Sequence, residues 1–163
     1  MFIPFLTAFT LHNIEEAMRL PQWSERCMPS RRFDAGRFRI AVLFVTLFGW
    51  GLGILGAVSG RVPGTGPMRL PATELLLGLM AVMMLNVVLP HTAASVLTRS
   101  YSPGTATGIL LIWPSAGFAI AQALTDGMLT FKRLLMMGGI VAAVLGTFLL
   151  LFLGRRKPNQ PFV

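Results

Sequence analysis

The segment His12-Asn13-Ile14-Glu15-Glu16 places three ionisable side chains within five residues. On a helix at ~100° per residue, carboxylates at i+3 and i+4 flank the imidazole on one face. Imidazole and carboxylate together suit a divalent metal such as Zn, Fe or Mn, and an open metal site needs about three protein ligands. A carboxylate left over can act as general base or orient a histidine. The plainer alternative is that Glu15 or Glu16 pairs with Arg19 and the cluster hangs at an interface. That pairing accounts for one carboxylate and leaves the second, with the histidine, unexplained.

The chain has one other histidine, His91, and it follows Pro90. Proline lacks the N–H that would bond the carbonyl of Asn86 four residues back, so a kink is expected beside His91. A turn with the residues Tyr101-Ser102-Pro103-Gly104 comes next. Pro and Gly set such a turn, and tyrosine suits a membrane interface. A single cysteine, Cys27, excludes an intramolecular disulfide and a thiolate cluster. The ten methionines, Met83, Met84, Met136 and Met137 among them, read as packing. Gly51, Gly53 and Gly56 spell the spacing of a dinucleotide-binding turn, but no strand precedes them, so that reading fails. Gly49 with Gly53, and Gly56 with Gly60, instead have the four-residue spacing that lets helix backbones approach in lipid.

The elements that position these residues are apolar helices. Hydrophobic residues make up 54% of 163 and charged residues 12%, too few charges to cover a soluble protein of this size. Four runs are long enough for a bilayer core that needs ~20 helical residues: Phe38 to Ser59, Leu70 to Leu97, Thr105 to Leu124 and Leu134 to Leu153. The stretch 2–20, which carries the His12 cluster, is a fifth span with Pro21 as its stop. Residues 22–37 read as an exposed loop with Trp23 as an interfacial anchor, and 61–69 as an irregular turn. The expectation is an all-α membrane protein, one domain over 1–163, with about five transmembrane helices. The beginning of the chain does not read as a cleaved signal peptide.

The net charge of +8 sits in the gaps between apolar runs, so topology explains it and nucleic-acid binding is not expected. With five spans, one side holds Arg19, Arg26, Arg31, Arg32, Arg37, Arg39, Arg99, Arg155, Arg156 and Lys157. The other holds Arg61, Arg69, Lys132 and Arg133. The richer side is the cytoplasmic one, and the N-terminus lies outside. His12 then lies seven residues from Arg19 and His91 eight from Arg99. At ~1.5 Å per residue both sit about 10–12 Å into the membrane, near the cytoplasmic side.

His12 to Glu16, Asn86 with His91, and Tyr101 to Gly104 occur in the order seen in the HXXEE-motif family of small membrane proteins, which this chain resembles. The resemblance covers residues 12 to 104 and implies which residues matter, but no reaction, since the family has no assigned activity. In the family pattern three residues separate Asn from His, whereas here there are four. On an ideal helix that puts Asn86 and His91 about 140° apart, so Asn86 joins the site only if the Pro90 kink realigns it.

The leading functional reading is an intramembrane metal site for hydrolytic or redox chemistry. His12, His91 and one of Glu15 and Glu16 are the ligands; Glu15, Glu16 and Tyr101 are the candidate catalytic groups, with Tyr101 folded over the mouth. The second reading is a proton-coupled or cation transporter, with Gln122 and Asp126 as a further gate. The third is a structural subunit whose polar cluster binds a partner helix. Expected partners are the lipid bilayer and a small-molecule or lipid substrate; self-association into a homo-oligomer stays open. In a bacterium the location would be the inner membrane.

Overall fold

A long apolar segment in lipid must satisfy every backbone N–H and C=O within itself, and a helix does so. The computed structural model describes residues 2–28, 34–59 and 72–153, and these form helices with no strand among the described residues. Five helices build the bundle: α1 (Ile3–Cys27), α2 (Ala35–Ser59), α3 (Ala72–Thr98), α4 (Thr105–Thr125) and α5 (Phe131–Leu153). Helices α2 to α5 are long and apolar enough to cross a membrane. Leu43, Leu47 and Ile54 of α2, with Leu135, Val144 and Leu150 of α5, are exposed, an apolar outer surface that suits lipid. The expected turn at 61–69, Gly60, and the basic residues Arg31, Arg32, Arg155, Arg156 and Lys157 fall outside the described residues.

Helix α1 carries too many charges to qualify as a span by composition, yet its packing sets its course. Gly53 of α2 lies against Leu6, Gly49 against Phe9, and Thr46 accepts a hydrogen bond from Asn13 Nδ2 at 2.8 Å. The partner positions fall along α2 as they rise along α1, so the two run antiparallel through the same depth. A Cβ on Gly49 would sit 2.6 Å from the Phe9 ring, and one on Gly53 2.7 Å from Leu6. The glycine pair is thus the seat for α1, as its spacing suggested. Phe5, Leu6 and Phe9 join Leu76, Leu79 and Met80 of α3 in the core.

Pro21 does not stop α1, which runs on to Cys27. The carbonyl that a proline at 21 orphans is that of Ala17, and Arg39 Nε donates to it at 3.2 Å. A side chain from α2 replaces the missing backbone donor, and the helix continues. Residues 22–27 therefore belong to α1 and do not form a separate interfacial segment, and Trp23 Nε1 donates to Ser100 Oγ at 3.3 Å. At the opposite end α3 and α5 run parallel. A Cβ on Gly78 would lie 2.7 Å from the Met137 backbone, and Arg133 Nε meets Glu74 Oε2 at 2.8 Å one turn earlier.

Candidate functional site

Two departures from regular helix shape the site. Val87–Thr92 of α3, around Pro90, is a π-helical turn. Its i→i+5 repeat returns positions five apart to one face. Asn86 Nδ2 and His91 Nε2 are 3.2 Å apart in consequence. Pro90 thus acts by widening a turn, and the extra residue between Asn86 and His91 is absorbed there. Gly108–Ile112 of α4 is a second π-helical turn. Pro114, which cannot donate to Leu110 four residues back, follows it directly. Gly108 packs on Val87, so the two widened turns meet.

Between them lies the turn that closes the end of the bundle. Ser102 is buried, its N–H donates to Ser95 Oγ at 2.9 Å, and Thr105 Oγ1 donates to the Ser102 carbonyl at 2.8 Å. Gly104 has φ +94°, open to glycine at no steric cost. A Cβ there would come within 2.9 Å of His91 Cε1 and 3.0 Å of His12 Cε1. Gly104 is therefore the lid on both imidazoles.

Beneath that lid the rings of His12 and His91 stand edge to face, with centroids 5.3 Å apart. Glu16 Oε1 lies 3.2 Å from His12 Nε2 and 2.5 Å from His91 Nε2. One ligand atom from each of His12, Glu16 and His91 falls within 4.8 Å of the others. The two carboxylates of α1 diverge on either side of His12. Glu15 turns away from the rings: Tyr101 Oη donates to its Oε1 at 2.6 Å and Thr107 Oγ1 to its Oε2 at 2.7 Å. Arg19 stands 4.0 Å from the same carboxylate. Burial and the hydrogen bond to Glu15 hold the Tyr101 phenol above its ordinary value.

The hydrogen bonds determine the histidine tautomer. Thr107 has one hydroxyl proton, and the Glu15 carboxylate takes it. Thr107 Oγ1 is then an acceptor for the Nδ1–H of His12 at 3.1 Å. A neutral His12 so protonated turns the lone pair of Nε2 toward Glu16. His12 is fully buried, and the polar group its Nε2 faces is Glu16 Oε1 at 3.2 Å. In a dry site that pair is satisfied either by a proton on Nε2 or by a cation between the ring and the carboxylate. Two donors on a tetrahedral ion with bonds of ~2.0–2.1 Å are about 3.3 Å apart, which the His12–Glu16 pair matches, whereas His91 Nε2, 2.5 Å from Glu16, would have to draw back to admit the ion. The residues present therefore fit a metal ion, with Glu15 and Thr107 orienting His12 from behind.

Other polar residues stay apart from this cluster. Glu74 is engaged by Arg133 at the opposite end of the bundle. Where α4 ends, Asp126 is exposed and Gln122 half-buried, both far along the chain from the cluster. Sequence reasoning missed Thr107, which has no motif around it and lies 95 residues from His12.

A family model described as "Protein of unknown function with HXXEE motif" matches residues 3–119. A Bacillus subtilis (strain 168) protein named "Uncharacterized protein YrkK" is 28% identical over 146 residues, covering 86% of this chain and 85% of that protein. No solved structure matches.

Proposed function

The chain belongs to the family of proteins of unknown function with the HXXEE motif, and within it we propose a membrane-embedded, divalent-metal-dependent hydrolase. The ligands are His12, Glu16 and His91, and the observation that carries this reading is that one ligand atom from each lies within 4.8 Å of the others with both imidazoles buried. Three protein ligands leave a position open for substrate, and an ion held there polarises a carbonyl or phosphoryl oxygen. Glu15, with Thr107, holds the His12 ring in the metal-ready tautomer. Tyr101 keeps Glu15 in place and closes the mouth, its phenol remaining protonated at neutral pH. Gly104 excludes water from the imidazoles by leaving no room above them.

A transporter needs polar groups along a path across the membrane. The buried polar residues His12, Asn13, Ser24, His91 and Ser102 cluster toward one end of the bundle. Beyond them the described core is Phe5, Leu6, Phe9, Leu76 and Leu79, which favours a site over a pathway. The experiment is elemental analysis of protein purified without chelators. About one divalent ion per chain is expected from the three-ligand site. Glu16→Ala and His91→Ala should lose it, and Asp126→Ala should keep it. Equal metal in all four proteins would remove this function.

A further inference from the structure

A cavity of about 260 Å³ opens between α1, α2, α3 and α5. Its polar lining is Asn13, Glu16 and Asn86. Asn13 and Glu16 are one turn apart on α1, and Asn86 contacts His91, so these groups gather at the end that borders the imidazoles. Glu16 belongs both to the cavity wall and to the cluster, whereas neither histidine lines the cavity. The rest of the wall is apolar, with Phe38 and Val45 from α2 and Leu145, Gly146 and Leu149 from α5. A polar ligand lying along that wall would lose hydrogen bonds to water with no replacement. The volume is below the ~300–1,000 Å³ usual for compact drug-sized ligands, and suits one narrow chain.

Gly146, in the groove wall, bears on its width. A glycine inside a helix costs about 1 kcal/mol relative to alanine. Gly49, Gly53 and Gly78 each repay this by admitting a neighbouring helix, whereas a Cβ on Gly146, as on Gly51 and Gly139, would meet nothing within 4 Å; of these three Gly146 alone lines the groove. What the missing side chain leaves is open width in the groove.

We propose that this groove holds the hydrocarbon tail of a single-chain lipid, with its polar group against Glu16, and that the substrate of the centre is such a lipid. This deepens the metal-centre reading and rests on it for the chemistry at the head, but not for the seat of the tail.

The test uses full-length protein in detergent and a long-chain alcohol carrying a mid-chain diazirine, with crosslinked peptides mapped by mass spectrometry. Wild type should be labelled on the groove-facing residues of α2 and α5. Gly146→Leu should lower that labelling about tenfold or more, which displacing about two methylenes suffices to cause. It should keep the wild-type thermal midpoint and metal content. Gly139→Leu, also on α5 and also in open space but outside the groove, should label as wild type does. Groove labelling unchanged by Gly146→Leu, or label confined to outward faces, would overturn the lipid assignment even if the protein binds metal. Labelling that depends on Gly146 in a protein without metal would keep the groove and remove the metal centre.

Discussion

Thr107→Val tests the tautomer argument at a residue that touches no metal ligand atom. Valine keeps the shape of threonine and removes the oxygen that accepts the His12 Nδ1–H at 3.1 Å. His12 is fully buried, so water does not replace that acceptor. Leaving a buried donor unpaired costs ~1–3 kcal/mol. The ring avoids this by moving its proton to Nε2, where Glu16 Oε1 accepts it at 3.2 Å. Metal must then displace that proton, so the cost appears in affinity. At tenfold per ~1.4 kcal/mol the expected weakening is about 5- to 150-fold, in line with the ~10–100-fold typical of groups that orient a ligand. The assay is competition against a chromophoric chelator in detergent at fixed pH. Thr107→Ser, which restores the hydroxyl, should return to within about threefold, below the lower bound for losing a hydrogen-bond partner. Thr107→Val binding metal as tightly as wild type, while Glu16→Ala has lost it, would refute the reasoning.

Pro90→Ala restores the N–H that an α-helix needs and favours an ordinary turn over the π-helical one. Asn86 and His91 then swing toward ~140° apart, and metal affinity should fall about tenfold or more with helicity by circular dichroism unchanged. Tyr101 is the single tyrosine of the chain, so tyrosinate absorbance reports it alone. Its midpoint should lie above 10.0, and Glu15→Gln should lower it. The sign follows: a phenol whose value is raised on folding contributes stability that is full below the unfolded value. That stability is lost as pH rises through the folded one, so melting points of wild type and Tyr101→Phe should converge in that alkaline window. From the charge distribution the N-terminus is expected outside and the C-terminal tail in the cytoplasm; reporters finding both ends on one side would mean that α1 does not cross.

Apolar runs carried most of the architecture, because a bilayer allows long apolar segments few forms. The bounds of α2 to α5 lie within a few residues of those runs. Gly49 and Gly53 were readable as a helix seat, although nothing in their spacing says that α1 occupies it. Pro21 misled because its effect depends on Arg39, a side chain from another helix that accepts the role of the lost donor. Asn86 and His91 were misaligned on ideal helix geometry because a π-helical turn has a different period. Glu15 and Glu16 flank His12 equally in a helical projection. Only the arrival of His91 on one side, and of Tyr101 and Thr107 on the other, separates them. Thr107 was invisible because its role is tertiary: one hydroxyl placed between two groups of α1.

The central claim is that His12 and His91 share one ion with Glu16. X-ray absorption at the edge of the metal that copurifies tests it most directly, since imidazoles leave a distinct multiple-scattering signature. Two imidazole nitrogens and carboxylate oxygen at about 2.0–2.2 Å are expected. The imidazole count should fall to one in His12→Ala reloaded with excess metal. A shell without imidazole, or one that His12→Ala leaves unchanged, would contradict it.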